Sequence, residues 1–154
     1  MKRLVNARLV LILGWVILAA SMPFVIYYGP VWTGWIRGGL NPPLRPYPTW
    51  YVYLWSLNYY NLPTRFLIAI YFFGLVVGTI TTILPSQLVR QPLVWVCRIG
   101  AVGAFLPVFQ YVIIHFPSAL LVVKDGIGCP LCIIGSVLIG VSAWIRPIRP
   151  KISN

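Results

Sequence analysis

The sequence predicts an all-α integral membrane protein: a four-helix bundle forming a single transmembrane domain over residues 1–154, with a long aromatic and Pro-rich outer loop. Three observations carry this prediction. Hydrophobic residues make up 60% of the chain and charged residues only 8%, with a mean hydropathy of +0.88; soluble domains carry about 25% charged residues. Four apolar runs are each long enough to cross about 30 Å of hydrocarbon. The segments outside them gather most of the prolines and basic residues. A formal charge of +11 would suggest nucleic acid in a soluble protein. In this composition it points to basic loops at an anionic membrane surface, so the expected partner is the lipid bilayer and not nucleic acid. The chain has one acidic residue, Asp125, and one histidine, His115. That excludes paired-carboxylate chemistry and leaves no Ser-His-Asp set. It also argues against a proton-coupled transporter, which needs ionisable groups inside its bundle.

The spans are expected at about 9–28, 63–84, 93–115 and 129–146. Lys2, Arg3 and Arg8 precede the first, which reads as a retained helix; Ala19-Ala20-Ser21 offers a signal-peptide cleavage site as the competing reading. Residues 29–62 hold five prolines, Pro30, Pro42, Pro43, Pro46 and Pro48, and glycines that include Gly34, Gly38 and Gly39. Such a segment cannot cross lipid, where its backbone polar groups would go unpaired. Its tryptophans and tyrosines favour the membrane–water interface, and a short interfacial helix is expected over Thr49 to Tyr60. That segment reads either as an anchor or as a lid over a ligand pocket. In the second span Gly74 and Gly78 form a G-x-x-x-G pair that admits another helix closely. In the third, Pro107 predicts a kink, Gln110 is a polar member, and Arg98 can reach toward the interface. The fourth has a small-residue face of Gly135, Ser136, Gly140 and Ser142.

Charge sets the expected orientation. With the N-terminus inside, Lys2, Arg3, Arg8, Arg90, Arg98, Arg146, Arg149 and Lys151 lie inside, against Arg37, Arg45, Arg65 and Lys124 outside. The bias predicts a multi-pass cell-membrane protein with both termini cytoplasmic.

The chemistry centres on Gly128-Cys129-Pro130-Leu131-Cys132, a C-x-x-C motif where a polar turn becomes an apolar helix. Proline at the first helical position is a start signal. Cys129 is then near the N-cap and Cys132 in the first turn, where free N–H groups and the helix dipole favour a thiolate. The motif is expected on the outer, oxidising side, where disulfides persist. Three uses stay open for the pair: redox work, a purely structural pair, or half a metal site. A zinc site would have to draw on Cys129, Cys132, His115 and the unusual ligand Asp125, so no metal is expected. His115 reads either as a polar cap at the interface or as a group that stabilises a thiolate.

Four spans, a long outer loop after the first, and an outward C-x-x-C opening the fourth resemble the vitamin K epoxide reductase (VKOR) family. Asp125-Gly126-Ile127-Gly128-Cys129-Pro130-Leu131-Cys132-Ile133-Ile134 is similar to its prokaryotic active-site segment. Leu62-Pro63 through Ile70-Tyr71-Phe72-Phe73-Gly74 resembles the start of its second core helix. The likeness covers roughly a third of the chain by sequence and the remainder by topology alone. It implies a thiol–disulfide oxidoreductase that passes electrons from partner thiols, such as a thioredoxin-like protein, to a quinone held in the bundle. Cys132 would face the quinone and Cys129 would exchange with the incoming thiol; no quinone-binding residue is assigned. The chain departs from the family in one respect: residues 29–62 contain no cysteine, where the family usually carries a relay pair. As a divergent prokaryotic or archaeal-type member it would either take electrons at Cys129 directly or have lost the relay together with quinone reduction. The disulfide-bond protein B family is less similar, because its first pair lies in that same loop.

The competing class is a non-catalytic accessory subunit of a larger, respiratory-type membrane complex. Small-residue faces and an aromatic loop serve packing against other membrane subunits equally well.

Cys97 and His115 are 18 residues apart, roughly 27 Å along a helix, so Cys97 is expected near the inner surface and His115 at the outer one. Cys97 then cannot resolve a disulfide at Cys129 and reads as a small buried hydrophobe. Cys97→Ala is accordingly expected to leave the thiol–disulfide exchange rate unchanged, as measured by stopped-flow or gel-shift assay of the purified protein.

Overall fold

The computed structural model describes residues 2–30, 44–51, 62–84, 91–109 and 126–147. Four helices in it are long and apolar enough to cross a membrane. They are α1 (Lys2–Ser21), α2 (Leu62–Ile83), α3 (Gln91–Ala101, carried on through a 3-10 turn over Val102–Phe105 as far as Phe109) and α4 (Gly128–Ile145). A two-stranded antiparallel sheet, β1 (Val25–Pro30) and β2 (Leu44–Pro48), joins them. It pairs Tyr27 with Tyr47, Tyr28 with Pro46 and Pro30 with Leu44, with an irregularity between Val25 and Tyr27.

The hairpin is an addition to the helical bundle that was expected, and it displaces the first span toward the N-terminus. α1 stops at Ser21 because Pro23 has no N–H to continue the ladder and disfavours helical geometry at Met22. The N–H groups of Met22 and Phe24 turn back to the carbonyls of Ala19 and Ser21. Past the proline, Val25-Ile26-Tyr27-Tyr28 is β-branched and aromatic, a composition that suits an extended strand. The first span therefore lies seven residues N-terminal of its expected end, and takes in the basic residues at its start. Residues 49–51 are helical; the remainder of the expected interfacial helix lies outside the described residues, as do Gln110, His115 and Asp125. The later helices start within two residues of expectation, and each carries a proline in its first turn, Pro63, Pro92 or Pro130, where a missing N–H leaves no bond unmade.

Around Pro107, where the sequence predicts a kink, the helix changes type one turn before the proline. It cannot donate to the carbonyl of Gly103, so the Leu106 N–H takes that carbonyl instead. That i to i−3 bond tightens Val102–Phe105 into 3-10 geometry.

α4 is the central helix. It packs most extensively on α1, and also on α2, α3 and the 3-10 turn. Its buried residues, Gly128, Cys132, Gly135, Ser136, Ile139, Gly140, Ser142 and Ala143, recur at helical spacing and include the whole expected small-residue face. Backbones meet where that face carries glycine. A Cβ on Gly135 would lie 2.7 Å from the Leu18 nitrogen and 2.9 Å from the Gly14 carbonyl oxygen of α1. The G-x-x-x-G pair of α2 serves two neighbours. Gly74 faces Gly103 and Ala104, and Gly78 faces the Ile139 carbonyl.

Polar side chains join the helices, one pair at the exposed surface and one buried. Trp15 Nε1 donates to Thr79 Oγ1 (2.9 Å), and the Thr82 and Ser142 hydroxyls meet at 2.9 Å. At the end where α1 and α3 begin and α2 and α4 finish, two buried arginines cap helix C-termini. Arg98 donates to the carbonyls of Ala143 and Trp144, both at 3.1 Å, and to that of Arg146. Arg146 donates to the carbonyls of Thr81 and, at 2.7 Å, Leu84. Arg98 thus turns inward to the end of α4, a contact that the sequence reading did not assign.

Glycine spacing yields a stability contrast. A Cβ at Gly74 would sit 2.3 Å from the Ala104 nitrogen and 2.5 Å from the Gly103 carbonyl carbon, so backbone must move. Gly74→Ala is expected to cost about 1–3 kcal/mol. At Gly100 the nearest atoms belong to the side chains of Val77 (3.1 Å) and Phe73 (3.4 Å), which can give. Gly100→Ala is expected to be close to neutral, since removing a helical glycine returns up to about 1 kcal/mol. Thermal unfolding of both variants in detergent micelles checks the order.

Candidate functional site

The C-x-x-C pair sits where α4 meets the hairpin. Gly126 and Ile127 form the turn before the helix: the Cys129 N–H donates to the Gly126 carbonyl (3.1 Å), and the Leu131 N–H to that of Ile127 (3.4 Å). The helix starts at Gly128, with Ile127 as its N-cap in helical geometry and no capping side chain. Pro130 therefore occupies the third helical position instead of the first. Cys129 lies one residue inside the helix, with its own N–H already bonded, which differs from the free N–H groups expected around it.

At 100° per residue, Cys129 and Cys132 point within about 60° of each other and one turn apart. Their environments differ. All three cysteines are thiols in this structure; Cys129 is half-buried and Cys132 is buried, with 2% of its surface exposed. Cys132 belongs to a core cluster with Leu11 and Leu18 of α1, Tyr71 and Leu75 of α2, Ala104 of the 3-10 turn and Ile139 of α4, flanked by Met22 and Leu106. All four helices thus contribute to its surroundings. One polar chain enters this apolar cluster. Ser136 Oγ donates to the Cys132 carbonyl (2.7 Å) and lies 2.8 Å from the Tyr71 hydroxyl. Serine has one hydroxyl proton, so Tyr71 is the donor of that second bond. The Tyr71–Ser136 contact escaped the sequence reading. Its available signal was a serine one turn after Cys132 and a lone tyrosine in the apolar second span.

The hairpin base closes over the start of α4. A Cβ on Gly128 would meet the carbonyl oxygens of Phe24 and Val25 at 2.7 Å and Thr49 Oγ1 at 2.8 Å, and one on Gly126 would meet the Val25 oxygen at 2.0 Å. Thr49, fully buried, donates to the Phe24 carbonyl from its N–H (3.1 Å) and its hydroxyl (3.2 Å). Tyr51 stacks on Tyr47 with ring centroids 5.5 Å apart and meets Trp50 edge-on at 5.8 Å. The glycines that flank the cysteines are thus what lets extended backbone rest on the motif.

Cys97 is within electrostatic reach of Arg146, at the opposite end of the 18-residue α4 from Cys129. This matches the separation expected from sequence. His115 and Asp125, the other members of the mixed metal-ligand reading, lie outside the described residues.

No protein-family model, no curated protein and no solved structure matches the chain.

Alkylation should follow the difference in exposure. Iodoacetamide is expected to modify Cys129 before Cys132 in the folded, reduced protein, as read by peptide mass spectrometry. Gly128→Ala, which forces the hairpin base away, is expected to speed modification at Cys129 while leaving Cys132 slow. Equal rates at the two sulfurs would contradict the burial described above.

Proposed function

We propose that the protein is a membrane thiol–disulfide oxidoreductase working through Cys129 and Cys132, with a quinone as electron acceptor. The observation that supports this best is the unequal burial of two cysteines one helical turn apart. An exchanging pair needs one sulfur that a partner can reach and one held away from it, and Cys129 and Cys132 differ in that sense. The resemblance of residues 125–134 to the active-site segment of the vitamin K epoxide reductase family supports the same assignment.

In this reading the pair begins as a disulfide. A thiolate of a reduced partner, for example a thioredoxin-like protein, attacks the Cys129 sulfur. A mixed disulfide forms and Cys132 leaves as the thiol. The partner's second thiol then attacks its own sulfur, Cys129 is released, and the partner departs oxidised by two electrons. The quinone supplies the return chemistry, accepting two electrons and two protons. The surroundings of Cys132 suit such a group in being apolar and drawn from four helices. With no cysteine in residues 29–62, the partner engages Cys129 without a relay. In this reading the proline- and aromatic-rich segment, with the interfacial helix expected over Thr49 to Tyr60, belongs to the outer side, and both termini are cytoplasmic.

Cys132→Ser keeps the exchanging sulfur but lacks the thiol that releases it. Its Cys129 thiolate can attack a thioredoxin-like protein supplied in its disulfide form, and with no Cys132 thiol to displace the partner it is expected to accumulate a dithiothreitol-sensitive adduct, visible on a non-reducing gel, whereas Cys129→Ser forms none. In intact cells whose pair has first been reduced, an impermeant maleimide is expected to label Cys129 and not a cysteine placed at Ser153. A wild-type pair that keeps one redox state whatever thiol or quinone is supplied would remove the enzyme reading and leave that of an accessory subunit.

A further inference from the structure

Arg98 and Arg146 have 6% and 2% of their surface exposed, yet the single side-chain carboxylate of the chain is Asp125. Asp125 precedes α4 by three residues and Arg146 follows it directly. The 18 residues of α4 hold its two ends roughly 27 Å apart, beyond the reach of three residues of chain, about 10 Å. No salt bridge with Asp125 is possible. The C-terminal carbonyls of α2 and α4 carry a partial negative charge that favours a cation there, about half an elementary charge per helix, which does not neutralise two full charges. The carbonyls bonded by both arginines carry no formal charge: they satisfy N–H groups without balancing the two guanidinium groups.

Donors remain. Among the described residues, Arg98 bonds carbonyls through Nε and one terminal nitrogen, and Arg146 through its two terminal nitrogens. That leaves N–H groups of the other terminal nitrogen of Arg98 and the Nε of Arg146. Arg8, exposed on α1, is the third cation within electrostatic reach. Burial first, then the charges of Arg8 and Arg98, push the Arg146 guanidinium below its ordinary range. Neighbouring guanidinium groups with spare N–H donors match the oxygens of a phosphate. Depth in the membrane is indicated by Trp95 and Trp144. They lie edge-on at 6.1 Å and flank the Arg98 guanidinium at 5.2 and 5.7 Å, with 49% and 42% of their surfaces exposed. Tryptophans so exposed on a membrane helix sit at the headgroup level, where lipid phosphates lie.

We propose that this end of the bundle holds one phosphate group, that of an anionic phospholipid, among Arg8, Arg98 and Arg146. The lipid enters past Arg8, the exposed member, and its charge compensates the two buried guanidinium groups.

The test uses the full chain in neutral detergent micelles at constant ionic strength, with Tm as the readout. Phosphatidylglycerol is expected to raise Tm and phosphatidylcholine to leave it unchanged. Arg98 and Arg146 hold the bundle together, so the informative variant is Arg8→Gln. It is expected to keep the lipid-free Tm and to lose at least half of the phosphatidylglycerol shift. Arg65→Gln, at the opposite end, is expected to retain the whole shift. Native mass spectrometry is expected to find one phosphatidylglycerol retained per wild-type chain and fewer in Arg8→Gln. Inorganic phosphate that reproduced the Tm shift would support the phosphate site and overturn its assignment to lipid. Equal shifts from the two lipids, or equal losses in the two variants, would overturn the site.

Discussion

Everything in this bundle depends on backbone meeting backbone along α4. Lipid tails are as apolar as leucine, so burying apolar side chains does not by itself draw membrane helices together. Close packing and hydrogen bonds between helices must do it. The glycines at positions 14, 135, 74 and 103 bring main chains to distances that no Cβ would allow. Once the helices are that close, short hydroxyl side chains can bridge them, as Thr82 and Ser142 do. The position of Cys132 follows from the same contact, since it lies on the buried face of the helix that the glycines hold at the centre.

The polar groups of the interior are organised by the carbonyls that helices leave unpaired at their ends. α2 and α4 finish with orphan carbonyls in an apolar setting, where leaving them unmatched is costly. Arg98 and Arg146 supply the donors, and each links the end of one helix to the body or end of another. Serine and threonine act locally in the same way. Thr79, Thr81, Thr82 and Ser136 each donate to the carbonyl four residues earlier.

Much of this architecture was legible in the sequence because hydropathy and proline are strong signals in lipid. The four spans, the small-residue face of α4 and the disturbance near Pro107 all follow from residue type alone. The end of α1 was misread because Phe24 to Tyr28 continues the apolar run unbroken. Hydropathy does not distinguish a helix from a strand there, and Pro23 alone marked the change. The inward turn of Arg98 was hidden for a different reason: a lone basic residue near a span end reaches interface or protein equally well, and only the packed end of α4 decides between them. At the candidate site, spacing put both cysteines on one turn. Their unequal burial depends on contacts from four helices and a hairpin, which no local pattern encodes.

The 3-10 turn at Val102–Phe105 also changes the rotational phase of the third span. Each 3-10 residue advances by about 120° around the axis where an α-helical residue advances by about 100°. Four such residues turn the outer part of the helix by roughly 80° relative to its inner part. Below the turn, the inward face is set by Val94, Arg98 and Ala101. At the turn it passes to Gly103 and Ala104 against α2, and to Phe105 against Gly140. Both parts of the helix keep α2 and α4 as neighbours through this change of phase. The lipid-facing side of the span is correspondingly helical in register only up to this point, and a wheel drawn through it from end to end would assign the outer residues to the wrong solvent.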